Sequence, residues 1–255
     1  MNNGQPSAAH TGFLRELFLT REDGDRCFGS LAKLARHTDA PVVLTGSIAA
    51  GWHLLNAGRR IKRRPLNDID TVAVAGLPHV RPSVSRDFLI NHFHPARPRG
   101  KVLLQLVDAE HGTRTEVFTP ATDSLAERLS DCAVGPLACR VVSAEDAAAK
   151  LLSIICCVLE DRPVDPKYVE HFDQLATVAD MTVTREVWRD YRQETQHAEF
   201  DAAAAAVKAR LATDPTLLQP EHYCQDVDFV CAWCQESASF PVAPRAKVYD
   251  VLGYV

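Results

Sequence analysis

The sequence has no long apolar run. The longest, residues 151–159, falls far short of the roughly 18 residues that a membrane-spanning helix requires, and Ser153 interrupts it. Residues 1–10 are polar, and Arg15 and Glu16 interrupt the apolar stretch that follows, so the pattern is not that of a secretory signal. We therefore expect a cytoplasmic protein with no membrane partner.

Several widespread catalytic motifs are also missing. The sequence contains no G-x-x-x-x-G-K-[ST], no G-x-G-x-x-G, no G-x-S-x-G and no H-E-x-x-H. These absences argue against P-loop, dinucleotide-binding, serine-hydrolase and zincin chemistry. At 255 residues, the chain is long enough to bury one large core or two modest ones without disulfide or metal support.

The eight cysteines do not form a recognisable disulfide framework. Cys139 and the Cys156–Cys157 pair lie in apolar segments, where a reduced cysteine behaves as a small hydrophobic residue. Because nothing in the sequence indicates export, we expect the cysteines to be reduced.

Two groups of residues have spacing that suggests metal ligands. One group combines three cysteines with a neighbouring histidine: His222, Cys224, Cys231 and Cys234. Zinc is not expected there, because residues 231–234 fall in a stretch predicted to be helical and no second close ligand pair accompanies them. The other group, His92 and His94, shares a strand face, but without a third ligand we interpret these two histidines as polar sheet residues.

Apolar periodicity divides the chain into two parts. The first part predicts a small mixed sheet with flanking helices, an α/β or α+β domain, with strands at 41–44, 68–75, 88–94, 101–109, 114–119 and 139–142 and helices at 12–19, 27–37 and 48–57. The second part predicts only helices, at 143–159, 166–178, 185–196, 199–212 and 227–237. We therefore predict a flexible tail at 1–12, a mixed domain at 13–142 and a helical domain at 143–255.

Acidic residues on two of the predicted strands are candidates for a metal site. On a strand, Asp68 and Asp70 leave the same face about 6 to 7 Å apart, which favours Mg²⁺, with Mn²⁺ as an alternative. With Glu116, three carboxylates can hold two ions about 3.5 to 4 Å apart. Asp108 is a reserve third acid, and Glu116 can instead pair with Arg114.

A turn before the helix at 48–57 is a candidate phosphate site. Gly46 lets the backbone approach a phosphate closely, and Ser47 adds a hydroxyl beside the unsatisfied N–H groups of the helix start. The same two residues can equally be a simple turn and helix cap. Although the net charge is −5, the segment between Arg59 and Lys101 is strongly basic, which suits a polyanionic substrate.

Taken together, Gly46-Ser47, Asp68-x-Asp70 and Glu116 resemble the signature of the nucleotidyltransferase superfamily, the polymerase-β-like fold. The resemblance implies a transfer of a nucleoside monophosphate from a nucleoside triphosphate to a hydroxyl, with release of pyrophosphate. It implies that Gly46 and Ser47 hold the triphosphate, and that the three acids bind two magnesium ions. Glu116 would also activate the acceptor hydroxyl.

The resemblance to the superfamily covers about residues 40–120. Further features resemble one subgroup of it. The long spacer between Ser47 and Asp68, with Arg64 shortly before the acids, is similar to abortive-infection and toxin–antitoxin nucleotidyltransferases. The helix start at 143–151 also resembles theirs and implies that Lys150 touches a nucleotide phosphate. By the same likeness, Arg64 in the spacer would help to hold the triphosphate. For such an enzyme we expect RNA, such as a tRNA end, as the acceptor and a cognate antitoxin protein as the partner.

Two alternatives remain open. One is a small-molecule nucleotidyltransferase of the antibiotic-modifying type. The other is a non-catalytic module that keeps the fold to bind nucleotide or a protein partner. The second is supported by Glu116, where the family more often has Asp, and by Tyr168, where an acid is usual.

Overall fold

The computed structural model describes residues 9–74, 76, 79–221 and 228–254, with side chains from residue 13 onward. These residues form two compact units. The first comprises the described parts of residues 1–48, 60–141 and 225–255, and the second comprises residues 49–59 and the described parts of 142–224. Relative to the predicted domains, the described residues 228–254 fall in the first unit instead of the second, and residues 49–59 fall in the second unit instead of the first. Of the predicted tail, residues 1–8 lie outside the described residues.

Within the described residues, the first unit is built on a seven-stranded mixed sheet with the strand order β3-β4-β5-β2-β1-β7-β6. The strands are β1 Val42–Leu44, β2 Ile69–Val72, β3 Leu89–Phe93, β4 Val102–Asp108, β5 Thr113–Phe118, β6 Ser130–Val134 and β7 Leu137–Val141. Strand β2 runs parallel to β5, β1 runs parallel to β7, and the other neighbours are antiparallel. The predicted mixed α/β class is confirmed, while β6 was not predicted.

The helices lie before, between and after the strands. They are α1 Ala9–Leu17, α2 Arg21–Ala35, α3 Gly46–Asn56, α4 Ala144–Asp161, α5 Pro166–Leu175, α6 Met181–Tyr191, α7 Phe200–Thr213 and α8 Arg245–Leu252. Several begin at a side-chain cap, such as Ser143, whose hydroxyl accepts a hydrogen bond from the Asp146 backbone at 3.0 Å. Within the described ranges, none of the helices has the length and apolar character needed to cross a membrane.

The predicted helix at residues 227–237 is wrong. Val227 lies outside the described residues, and the rest of the segment forms turns and irregular backbone. The Gln235 N–H donates to Phe93 O of β3 at 3.1 Å, and further along the chain the Ala243 N–H donates to Ile90 O of the same strand at 2.7 Å. Because β3 is the first strand in the sheet order, this segment lies along the outer side of β3.

Asp108, the reserve third acid, accepts hydrogen bonds that hold it in the core of the first unit. Its side chain lies fully buried at the end of β4 and accepts hydrogen bonds from Lys33 at 2.7 Å and Ser30 at 2.9 Å, both on α2. The backbone N–H groups of Glu110 and His111 donate to the same carboxylate. Asp108 therefore joins α2 to the sheet, and we do not propose it as a metal ligand.

Candidate functional site

The strand register brings two of the predicted acids together. Asp70 on β2 is paired with Glu116 on the parallel strand β5, and Glu116 is paired with Gln105 on the antiparallel strand β4. Residues that are directly paired lie on the same face of a sheet, so these three side chains share one face. Asp68 precedes β2 by one residue and lies two positions before Asp70, on the side that strand alternation assigns to Asp70.

An arginine lies among these acids. The Arg114 guanidinium donates a hydrogen bond through Nη2 to Asp68 Oδ2 at 2.9 Å, and its Nε lies 3.7 Å from Glu116 Oε1. The side chain of Arg114 is only 11% exposed, so its charge acts in a partly desolvated environment. The sequence left open whether Glu116 pairs with Arg114. In the structure these two residues of β5 do form an ion pair, at the long distance of 3.7 Å.

Gln105 orients the side chain of Glu116. Its Nε2 donates to Glu116 Oε1 at 2.7 Å, and its own Oε1 accepts a hydrogen bond from Asn91. The side chain of Gln105 is buried in a strand that is otherwise almost entirely apolar. A single polar residue in an apolar strand needs a hydrogen-bond partner, so Gln105 could have been noticed in the sequence, but its partner could not.

The turn at Gly46 lies directly against Asp70. The Thr45 N–H donates to Asp70 O at 2.9 Å, which joins the end of β1 to β2. Gly46 has a φ of +63°, and a Cβ atom there would overlap the carboxylate of Asp70, with its Cγ only 2.7 Å away. Helix α3 begins at Gly46, so Ser47 lies in its first turn and is not the N-cap. Glycine is required at position 46 by both the backbone conformation and the closeness of Asp70.

We expect the substitution Gly46→Ala to damage the site as well as the fold. An L residue in the left-handed region costs about 1–2 kcal/mol, and the added methyl must also displace Asp70. Gly58→Ala is a matched control, because Gly58 has a φ of +69° and nothing lies within 4 Å of its added Cβ. Urea unfolding should show destabilisation of both variants. Only Gly46→Ala should lose Mg²⁺-dependent nucleotide binding, and an equal loss in both variants would contradict this account.

Arg64 and Lys150 are the other two residues predicted to contact the nucleotide. Arg64 forms a backbone bridge with Phe18, in which the Arg64 N–H donates to Leu17 O and Arg64 O accepts from the Leu19 N–H. Lys150 lies on α4 in the second unit. The assignment of both residues to the nucleotide stays a prediction.

Comparisons with known proteins add little to this description. No family model matches the chain, and no curated protein matches it in sequence. Among solved structures, the chain is similar to an antigenic nucleotidyltransferase-like protein from Paracoccidioides brasiliensis, with 15% sequence identity and a TM-score of 0.41. That alignment covers 83% of this chain and 98% of the other chain. Since similarity this low carries no functional argument, the function must be argued from the residues themselves.

Proposed function

We propose that this protein is a divalent-cation-dependent nucleotidyltransferase, which moves a nucleoside monophosphate from a nucleoside triphosphate to a hydroxyl acceptor and releases pyrophosphate. One observation carries the proposal: a positive-φ glycine at the start of α3 lies against Asp70, and Asp70 is in register with Glu116. A protein that binds a metal–triphosphate needs a turn at a helix start for the phosphates and carboxylates for the metal ion. The Gly46 turn and the paired acids supply these two features.

The acidic residues have the right chemistry for magnesium. Asp68, Asp70 and Glu116 offer carboxylate oxygens, which Mg²⁺ and Mn²⁺ prefer over nitrogen or sulfur ligands. We propose that these three residues hold one or two such ions. When bound, the ions would offset the charge of the triphosphate and lower the pKa of the acceptor hydroxyl.

The protein's own groups would mainly position the reactants. Gly46 lets the Asp70 carboxylate lie against the start of α3, where the N–H groups of a helix N-terminus favour the phosphates of a metal-bound triphosphate. Glu116, oriented by Gln105, is the group that would accept the proton of the attacking hydroxyl. Arg114 would offset negative charge beside the acids. Positioning and charge compensation supply most of the rate enhancement in phosphoryl transfer generally.

We propose RNA, such as a tRNA end, as the acceptor. Within the first unit, basic side chains between Arg60 and Lys101 are exposed, including Arg60, Lys62, Arg63, Arg81, Arg86 and Arg99. Such a group suits a polyanion, and its attraction for RNA would weaken as salt increases. A toxin-like RNA transferase with a protein antitoxin is the version of this proposal that the spacing around Arg64 favours.

A transfer assay tests the proposal. Each α-³²P-labelled nucleoside triphosphate is incubated with the protein and Mg²⁺, and with total RNA, an aminoglycoside or no added acceptor. We expect label on RNA, lost when Asp70 is replaced by Asn. Label on the aminoglycoside would instead identify a small-molecule transferase, and label on the protein would identify self-modification. No transfer to any acceptor would contradict the enzyme proposal.

The second candidate function, a non-catalytic nucleotide-binding module, is favoured by Arg114. Arg114 donates a hydrogen bond to Asp68 and so places a positive charge among the acids, which reduces their need for a metal ion. A nucleotide-dependent increase in Tm without any label transfer would identify such a module.

We expect Arg114→Met to make the stability of the protein more dependent on magnesium. Loss of the guanidinium removes a positive charge from beside Asp68 and Glu116, at a cost of about 1–3 kcal/mol in metal-free buffer. Mg²⁺ should then raise the Tm of the variant more than that of the wild type. Arg140→Met is the control, because Arg140 lies on β7 beside the exposed Asp131. An unchanged Mg²⁺ response in Arg114→Met would show that Arg114 does not compensate the acids.

A further inference from the structure

Two pairs of residues that are far apart in the sequence meet beside β3. They are His92 and His94 from one segment, and Cys231 and Cys234 from another. One potential ligand atom from each lies within 4.8 Å of all the others. His222 and Cys224, which the sequence grouped with these cysteines, lie outside the described residues.

The backbone holds both pairs in place. His92 is in β3 and His94 follows it by two residues, so both side chains leave the same face, with ring centroids 5.0 Å apart. The Cys234 N–H donates to Cys231 O at 3.3 Å and closes a turn that directs both cysteines to one side. The next residue, Gln235, donates its N–H to Phe93 O, between the two histidines.

Three of the six distances between the four ligand atoms are close to the edges of a metal tetrahedron. His92 Nδ1 lies 3.1 Å from Cys234 Sγ, and His94 Nε2 lies 3.2 Å from Cys231 Sγ and 3.5 Å from Cys234 Sγ. With Zn–S bonds of about 2.3 Å and Zn–N bonds of about 2.0–2.1 Å, a tetrahedral site has edges of about 3.3–3.8 Å. The other three distances are within 4.8 Å, so shifts of about 1 Å would place all four atoms on a tetrahedron around one ion.

We propose that His92, His94, Cys231 and Cys234 bind a single structural zinc ion. Two thiolates and two imidazoles in a tetrahedral arrangement favour zinc over the oxygen-seeking Mg²⁺. A Rieske-type iron–sulfur cluster would put its cysteines and histidines on different irons, whereas here each histidine nitrogen is near a cysteine sulfur. The four side chains complete the tetrahedron and leave no open position for a substrate, as in structural zinc sites.

The surroundings of the histidines suit metal ligands. His94 Nδ1 lies 3.3 Å from Val102 O, so a proton on Nδ1 leaves Nε2, the atom near both sulfurs, available for a metal. A neutral imidazole is the form that binds a metal.

The ion would hold the irregular segment from residue 228 to residue 243 against the sheet. Apart from its bonds to β3, this segment contains little regular structure, and its Phe229, Val230 and Trp233 are exposed. His92 is paired with Gln105, which is paired with Glu116, so the zinc site lies on the sheet face that carries the acids. The zinc site would therefore fix a segment that borders the candidate active site.

Metal analysis of the full-length protein tests the proposal. Protein purified with a reductant and without added metal should contain one zinc ion per chain by plasma mass spectrometry. After removal of zinc by a chelator, Co²⁺ should give the intense visible bands of a tetrahedral site and thiolate-to-cobalt charge transfer. Cys234→Ser should reduce the zinc content by at least about tenfold, while Cys156→Ser, on α4, should leave it unchanged.

Three results would overturn the proposal. The first is wild-type protein that neither contains zinc nor gives the cobalt spectrum. The second is a Cys234→Ser protein that retains zinc at the wild-type level. The third is a Cys231–Cys234 disulfide, found by peptide mapping of the protein purified with reductant. The wild-type cobalt spectrum tests the proposal even when Cys234→Ser fails to fold.

Discussion

Replacement of Asp70 by asparagine is expected to reduce nucleotide transfer by at least about 10³-fold. Asparagine keeps the shape of the side chain beside Gly46 but removes the negative charge that a divalent ion requires. Stabilisation of transition-state charge by a metal is worth several kcal/mol, and every 1.36 kcal/mol is a factor of ten in rate. The measurement is the initial rate of label transfer from the triphosphate to the acceptor, at saturating Mg²⁺.

The matched control for Asp70→Asn is Asp123→Asn. Asp123 is also an aspartate of the first unit, but its side chain is 86% exposed and pairs with Arg99 at the surface. Its replacement should leave the rate of transfer close to that of the wild type, since exposed ion pairs contribute little. Both variants should unfold at urea concentrations near that of the wild type. If Asp70→Asn retains transfer within a few-fold of the wild type, Asp70 does not hold the metal.

The largest effect on stability is expected for Asp108→Asn. The substitution leaves Lys33 and Ser30 without the buried carboxylate to which both donate. Removal of one member of a buried ion pair costs about 3–5 kcal/mol, because the remaining charge stays desolvated. Urea unfolding at neutral pH measures this difference in free energy. Glu110→Gln is the control, because Glu110 also pairs with Lys33 but is largely exposed, and its loss should have a much smaller effect.

The contribution of Asp108 should depend on pH. Burial by itself raises the pKa of Asp108, but hydrogen bonds from Lys33 and Ser30 outweigh this and hold the pKa below its ordinary value of 3.8. A carboxyl group with a lowered pKa in the folded state stabilises the fold above its unfolded pKa. That stability is lost as the pH falls through the folded pKa. The difference between wild type and Asp108→Asn should therefore be constant near neutral pH and shrink in acid. A difference that grows in acid would contradict this assignment.

Much of the first unit could be predicted because its sequence patterns are local. The alternation around Ile69 and Thr71 predicts a strand with one buried face, and it places Asp68 and Asp70 on the other face. Strand β5 shows the same alternation, so Glu116 lies on its partly exposed face. The parallel pairing of β2 with β5 follows from long-range contacts, and no local pattern in either strand predicts it.

The sequence did not predict the features that depend on distant partners. Residues 228–237 have helix-like spacing of apolar residues, but they form turns and irregular backbone, and the Gln235 N–H donates to Phe93 O of β3. Tertiary hydrogen bonds override weak helical propensity in such a segment. The error also hid the meeting of Cys231 with His94, because a helix there argued against zinc. Similarly, Arg114 could be noticed beside Glu116, but only the fold brings it to Asp68.

Binding of Mn²⁺ shows most directly whether the acids beside the Gly46 turn hold a metal–triphosphate, because it requires no knowledge of the acceptor. Mn²⁺ is titrated into the zinc-loaded protein with a non-hydrolysable triphosphate, and free Mn²⁺ is followed by electron paramagnetic resonance. We expect nucleotide-dependent Mn²⁺ binding to the wild type that is lost in Asp70→Asn and retained in Asp123→Asn. Equal Mn²⁺ binding by wild type and Asp70→Asn, or no nucleotide-dependent binding by the wild type, would contradict it.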